Sequence, residues 1–485
     1  MSTQNTHRVA VAWGDGIGPE ITEAVINILK AAQAPLIYEE IQLGEQVYRQ
    51  GHSAGIAPET WPILRRCDAL LKAPITTPQG GGVKSLNVTL RKTLSLFSNV
   101  RPCRTHAPFV STRHPEMDLV IIRENEEGLY AGIEHSQTDE VAQCLKLVSR
   151  PGAERIIRYA FEYARLKGRK RVTAMVKDNI MKITDGLFTE VFNAVREEYP
   201  DIESDRMIID IGTARLADTP DRFDVVVLPN LYGDILSDVA AQLSGSVGLG
   251  GSANIGAEAA MFEAVHGSAP DIAGQNIANP SGLLHGAILM LQHLGLSDVA
   301  EKVHNAWLKT IEDGIHTGDI VSEQTKQKVG TSGFAQAVIA RLGEKPQQLE
   351  PAKAETGALS QCVVPLKPRP RREKVMVGVD VFLDWDEADR PPENLGTHLS
   401  KANADGVELV MITNRGVKVW PGGQPETFCT DHWRCRFQRK DSAPVTHKEM
   451  AELLQRISAL GLDWIKIETL CTFDGKAGFS LGQGQ

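Results

Sequence analysis

The chain has 485 residues, 42% of them hydrophobic and 23% charged, with a formal net charge of −9. At roughly 100–200 residues per domain this length implies two to four domains, and the composition excludes a disordered or collagen-like chain. No apolar run reaches the roughly 20 residues of a membrane helix, and the acidic balance excludes a basic field for nucleic acid. The residues before Arg8 carry neither a signal nor a transit pattern, and an odd number of scattered cysteines reads as reduced thiols. The expectation is a cytoplasmic enzyme without a nucleic-acid or membrane partner.

In chain order, 8–12 alternates as a strand, and after a glycine turn Pro19 opens a helix with Ile21, Val25, Ile28 and Leu29 on one face. Apolar runs predict buried strands at 119–122, 172–176 and 225–228, with helices at 153–166 and 188–198 between them. This alternation is that of an α/β fold. From 344 to 372 proline, lysine and glutamine take over, which predicts an exposed linker.

Beyond it, alternating Val375, Val377, Val379 and Val381, a run at 407–412 and a turn at Asn414-Arg415-Gly416 into 417–420 predict strands. Thr446 and Glu449 form a capping box for an amphipathic helix carrying Met450, Leu453, Leu454, Ile457 and Leu460, ended by Gly461. Residues 373–485 thus read as a small α+β domain. Within it Cys429, His432 and Cys435 lack a second matching pair, so a structural role is favoured over a metal site.

The turn Gly14-Asp15-Gly16-Ile17-Gly18-Pro19 imitates a dinucleotide fingerprint, with acidic Glu39 and Glu40 about 20 residues on. Proline stands where the third glycine belongs. The turn is therefore expected to be tight and structural, not a Rossmann phosphate site.

The chemistry lies elsewhere. Lys84 to Lys92, with Arg91 in it, is followed by Arg101, Arg123 and Tyr130, and later by Asp210, Asp234 and Asp238. Guanidinium groups grip carboxylates through paired donors, and clustered carboxylates attract a hard cation such as magnesium. A metal-chelated polycarboxylate fits both. Taken singly, the arginines read more readily as solvated surface charges, and Asp234 and Asp238, one helical turn apart, also suit an acidic helix start. Asp210 lies in apolar Ile208-Ile209-Asp210-Ile211; a carboxylate ending a buried strand there would need a cation. Lys177, after the 172–176 run, reads either as a desolvated general base or as a lysine ending a strand.

These residues sit in motifs that resemble one family. Gly14 to Glu20, Lys72-Ala-Pro-Ile-Thr-Thr-Pro78, Asn99-Val-Arg-Pro102, Arg123 to Tyr130, Lys177 to Lys182, Asn230 to Asp238 and Glu263 to Pro270 resemble the β-decarboxylating isocitrate and 3-isopropylmalate dehydrogenases. The tail after Glu373, with 377–381 and 413–416, is similar to the extension of the long, Thermus-type isocitrate enzymes. The resemblance implies a non-Rossmann two-domain core plus a small α+β C-terminal domain: a large domain from 1–98 and 251–343, a small domain with the dimer interface at 99–250, a linker at 344–372 and the tail at 373–485. It implies oxidative decarboxylation of isocitrate in the tricarboxylic acid cycle. Arg91, Arg101 and Arg123 would hold the α- and β-carboxylates, and Ser85 and Asn87 the γ-carboxylate; homoisocitrate, isopropylmalate or tartrate are the alternatives that Ser85 and Asn87 argue against. Tyr130 would be the acid and Lys177 the base, with Asn179 beside it. Asp210, Asp234 and Asp238 would bind Mg2+ or Mn2+. Lys177 and Asp210 would come from a second subunit of a homodimer or larger oligomer. Thr77, Glu263, His266, Gly267, Ser268, Ala269, Asp271, Ile272 and Asn279 would contact the nicotinamide cofactor. Members that prefer NADP carry lysine and tyrosine at 271 and 272; Asp271 would repel a 2′-phosphate, so the expected cofactor is NAD. The tail is expected to aid assembly, and a chief role as an interaction module is the reading from another class.

Overall fold

Buried apolar strands of a mixed sheet organise the first part of the molecule. The structure is a computed structural model describing residues 6–76, 85–355, 357–404, 406–439, 441 and 443–482. It divides into two units, Met1–Ala131 with Lys146–Leu366, and Gly132–Leu145 with Lys367–Gln485.

The strands in chain order are β1 (His7–Ala12), β2 (Leu36–Ile41), β3 (Ala69–Lys72), β4 (Ser98–Arg104), β5 (Asp118–Glu124), β6 (Glu134–Ser136), β7 (Ala142–Cys144), β8 (Arg171–Val176), β9 (Glu203–Ile208), β10 (Val225–Leu228), β11 (Gly251–Ile255) and β12 (Ala260–Ala264). Among the described residues, all but β6 and β7 form one ten-stranded sheet in the order β2-β1-β3-β12-β11-β4-β5-β10-β8-β9. β2, β1, β3 and β12 are mutually parallel, as are β5, β10, β8 and β9, while β11 and β4 run antiparallel to both neighbours. A Rossmann sheet has no such antiparallel centre. Val225 to Leu228 are fully buried, which explains their unbroken apolar sequence. The expected helices are Arg150–Leu166 and Thr184–Arg196.

The glycine turn is structural. Gly14 and Gly16 have φ of 72° and 59°, and a Cβ would lie 2.2 Å from Pro74 O at the first and 2.0 Å from Ser268 O at the second. Glycine is needed both for the left-handed backbone and for this close approach. Pro19 stands in the first turn of Gly18–Ala31, and Glu39 is tied to Arg8 and Arg66 at the sheet edge.

Three expectations are corrected. Much of 344–372, although largely exposed as expected, is a strap fastened to the first unit rather than a free linker: Glu312 accepts the backbone N–H groups of Gln347, Gln348 and Leu349 at 2.6–3.0 Å. Asn305 exchanges two bonds with Ala352, and Leu359 and Cys362 are buried. Two apolar anchors and borrowed side-chain acceptors suffice where the sequence looks polar throughout. Second, Gly132–Leu145, placed by the sequence within 99–250, groups with the C-terminal unit. Third, Asp210 does not end a buried strand; β9 stops at Ile208, and Asp210 is exposed in the first turn of the helix Ile209–Asp218.

The second unit is an antiparallel sheet in which Lys374–Asp384 lies between His432–Arg439 and Asp463–Phe473. Arg415 and Gly416, at φ of 48° and 83°, turn Val407–Asn414 into Val417–Trp420, and the Thr446–Glu449 capping box starts the helix His447–Ala459. Cys435 is buried in this unit's core beside Val381 and Trp433. Among the described residues no three His, Cys, Asp or Glu side chains are grouped to hold a metal ion.

Candidate active site

β4 and β5 lie side by side, with Arg101 on one and Arg123 on the other, and the helix Asn230–Leu243 packs across them. Arg91 comes from the helix Leu86–Thr93. All three guanidinium groups are buried. Arg123 donates Nε and Nη2 to Asn230 Oδ1 at 3.0 and 2.8 Å and Nη1 to Asp234. Arg101 donates Nε to Asn99 Oδ1 at 2.6 Å, and its Nη1 reaches Ser237 Oγ at 2.6 Å and Asp238 Oδ1 at 3.2 Å. Tyr130 donates its hydroxyl to Asp234 Oδ2, with the Arg123 guanidinium 5.0 Å from its ring centroid. Gly233 lets this helix approach, since a Cβ there would lie 2.7 Å from the Arg123 side chain.

Beneath the arginines, Glu263 on β12 is 2.7 Å from Lys72 Nζ on β3 and 2.9 Å from Arg91 Nη2, and it accepts Asn254 Nδ2 at 2.8 Å. Both its oxygens are engaged, so Glu263 holds Lys72 and Arg91 in place. Lys72, Ser237, Asn230, Asn99 and Asn254 were not picked out from sequence; a lysine ending the apolar run Leu70-Leu71-Lys72 was the available signal.

The charges are tuned by this packing. Burial, reinforced by Arg91 and Arg101, brings the Arg123 guanidinium down to about 9. For Asp234 burial acts upward, but Arg123 and Arg101 win and hold the carboxyl below its usual range. Asp238 is raised by burial and by the Asp234 charge, against Arg101. Burial also acts upward on Glu263, and Lys72 and Arg91 overcome it to hold the carboxyl well down. Burial and the bond to Asp234 raise Tyr130, so its phenol stays protonated. Among the described residues, Arg91 Nε and Asn87 Oδ1 are buried here without a partner. Ser85 precedes the helix at its N-cap and makes no capping bond.

Lys177 and Asp210 form a separate group. Lys177 Nζ is 2.7 Å from both oxygens of Asp210, whose carboxyl this bond lowers. The Lys177 N–H is held by Asp185 at 2.8 Å, and Asp185 also accepts Lys146 and Tyr232. Asn179 is exposed.

The 266–279 loop runs against the glycine turn. Ser268 Oγ is 2.7 Å from Thr76 Oγ1, and Ser268 O accepts Ile17 N–H. Gly267, Ala269 and Asp271 are exposed and Ile272 is half-buried. Ala269 takes a left-handed φ of 38° ahead of the turn Pro270–Ile272. His266 Nε2 is buried and has no partner among the described residues. Asn279 is turned inward, donating to Asp319 at 3.0 Å and accepting Ser281 N–H at 2.9 Å. Thr77 lies outside the described residues.

Residues 8–338 match the model of the isocitrate/isopropylmalate dehydrogenase family, and residues 374–485 that of the bacterial isocitrate dehydrogenase C-terminal domain. The chain belongs to the isocitrate/isopropylmalate dehydrogenase family. It is 52% identical to an isocitrate dehydrogenase [NADP] of Rickettsia bellii, covering 98% of this chain and 99% of that one. It is 43% identical to the isocitrate dehydrogenase [NADP] of Thermus thermophilus, over 98% and 96%. A crystal structure of a Thermus thermophilus protein superposes with a TM-score of 0.90 at 42% identity, covering 99% of this chain and 96% of that one. Membership of the family and the long form with its C-terminal domain, both expected from sequence, are thus shown, and with them a non-Rossmann dehydrogenase fold. The names of the two relatives set NADP against the NAD expectation.

Proposed function

We propose that this oxidoreductase converts isocitrate to 2-oxoglutarate and carbon dioxide, with NAD as oxidant, magnesium or manganese as cofactor, and sites shared between two copies of the chain. The observation that carries the substrate class is Arg91 Nε, buried and without a partner among the described residues, in a group of three guanidinium side chains. A buried charged donor left without an acceptor is costly, and a substrate carboxylate supplies one. Lys72, Arg91, Arg101 and Arg123 face Glu263, Asp234 and Asp238, one positive charge in excess; a dication and a tricarboxylate together would bring the site to neutrality. Ser85 and Asn87 favour a third carboxylate over the apolar side chain of isopropylmalate, because they offer a hydroxyl and an amide.

Asp234 and Asp238 fit a hard cation: both are oxygen donors one turn apart, and positive charge would offset the burial and the Asp234 charge that raise Asp238. Asp210 of a second copy would complete the set. When bound, the metal would lend Lewis acidity to the substrate oxygens and the nicotinamide would accept hydride. The protein's own part is then defined. The arginines orient the carboxylates, and Arg123 also positions Asp234. Lys177, which would be freed where Asp210 held a cation, could take the hydroxyl proton at Nζ only as the neutral amine, after passing one proton to solvent. Tyr130, protonated and fixed by Asp234, can donate its proton to the enolate carbon after carbon dioxide leaves.

For the cofactor, Asp271 is exposed and its carboxylate has no partner among the described residues. A carboxylate accepts ribose hydroxyls and repels the roughly two charges of a 2′-phosphate. Initial rates at the reduced-nicotinamide absorbance, with isocitrate and magnesium, NAD against NADP and isopropylmalate as control, test all three parts. Preference for NADP would overturn the Asp271 argument, and turnover of isopropylmalate alone the Ser85–Asn87 argument. Sharing is tested by mixing inactive Lys177→Met and Arg101→Gln chains: random reassociation into dimers should restore about a quarter of native activity, and no recovery refutes it.

A further inference from the structure

Apart from the arginine cluster and the 266–279 loop, the first unit contains a cavity of about 480 Å3, a size suited to a small ligand. Its wall brings together three histidines around the buried Trp307: the ring centroids of His106, His285 and His304 are 4.8, 4.4 and 6.2 Å from the indole. His285 Nδ1 lies 2.7 Å from Leu249 O, and a carbonyl only accepts, so this nitrogen carries the hydrogen. Its Nε2 is then a lone-pair acceptor, and it is buried with no partner among the described residues. The His106 and His304 rings, the Tyr163 hydroxyl and the Gln292 amide line the same space, and none makes a side-chain hydrogen bond among the described residues. Among these groups His285 Nε2 is the one sealed from solvent, while the others face the cavity space, where water or a ligand must serve them.

The charges of the cavity are already spent. Arg104 is held by Glu350, Arg169 by Asp118 and Asp224, and Lys167 by Glu355. Burial keeps the imidazoles neutral, with His304 pushed down to about 3 by desolvation, His285 and Arg104. What remains free is a set of neutral donors and acceptors on ring and amide planes, backed by apolar Leu166, Ile288 and Leu289. We infer that this cavity is a binding site for a neutral, planar nitrogen heterocycle that both donates and accepts. A charged ligand would find no unpaired counter-ion there, and a hydrocarbon would leave the histidine, tyrosine and glutamine groups dry. Ala241 and Ser244, at the end of the helix that carries Asp234 and Asp238, form part of the wall.

The test uses indazole, a neutral ring with one donor and one acceptor, titrated calorimetrically into the full chain. Indazole-3-carboxylate and naphthalene serve as charged and apolar comparisons, and Leu289→Trp and Gln292→Leu as variants, with folding checked by thermal melting. Expected are one indazole per chain, affinity for either comparison at least about tenfold weaker, loss of binding in Leu289→Trp, a tenfold or greater loss in Gln292→Leu, and slowed hydrogen exchange confined to the segments around Ser244 and Gln292. Absence of indazole binding, preference for the carboxylate, or undiminished binding in both variants would overturn the inference. None of these readouts depends on turnover, so the result stands apart from the proposed reaction.

Discussion

Replacing Glu263 by glutamine removes one negative charge from a cluster whose side chains are 1% (Lys72), 9% (Arg91) and 6% (Glu263) exposed. Water cannot take over the lost role at such exposure. Breaking a buried ion pair by neutralising one partner costs about 3–5 kcal/mol, because the remaining charge stays desolvated; here two cations are left, and the new amide must turn its own N–H groups toward one of them. Calorimetric melting of the full chain should show the transition of the first unit fall by an amount within that range. Isocitrate should raise the midpoint of the variant more than that of the native protein, since its carboxylates replace the missing charge and ligand binding stabilises by mass action. A loss under about 1 kcal/mol, typical of exposed pairs, would show that Lys72 and Arg91 are solvated and that the cluster is not the foundation of the arginine site.

Asp271→Lys with Ile272→Tyr should shift the NADP-to-NAD ratio of kcat/KM upward by about a hundredfold, the scale of a charge reversal at a bound phosphate; an unchanged ratio places discrimination elsewhere. Glu312→Ala should release the strap, which limited proteolysis between 344 and 358 would detect, at a stability cost of about 2–3 kcal/mol for the stranded N–H groups; native resistance to cleavage would contradict the anchoring. His293 packs against Phe262 at 5.5 Å, and burial lowers its imidazole to about 4. Because the folded value lies below the unfolded 6.5, stability is complete above pH 6.5 and falls as the pH drops toward 4. His293→Leu should therefore lose less stability than the native chain between pH 7 and 5, by up to about 2 kcal/mol, and parallel pH curves would refute this.

The sequence displayed what depends on local pattern. The uninterrupted Val225 to Leu228 run announced a doubly covered strand, and the Thr446–Glu449 pair announced a helix start, because neither needs a distant partner. β11 was not legible: Gly251-Ser-Ala-Asn254-Ile255 is polar for a buried strand, and only the third dimension supplies Asn99, Asn125 and Glu263 to satisfy Asn254. Asp210 misled for the opposite reason, since apolar neighbours suggested a buried strand where a helix begins. In the site, the arginines and Asp234 were visible as motif residues, but the support that Glu263 gives Lys72 and Arg91 was not, because these three side chains lie far apart in one dimension.

The hairpin β6–β7 gives the C-terminal unit two separate origins along the chain. Within that unit Glu140 pairs with Arg390, Thr138 donates to Asp431, and Lys466 donates to Gln143 at 3.0 Å. On a ribosome the hairpin emerges long before Lys367 and must wait, its polar groups served by water, until the rest of its unit is made. Cutting the gene after residue 372 would likewise leave the hairpin behind without its partners, so a failed truncation would report an orphaned hairpin as readily as a missing tail. The informative deletion takes both pieces, with Ala131 rejoined to Lys146 through a short turn.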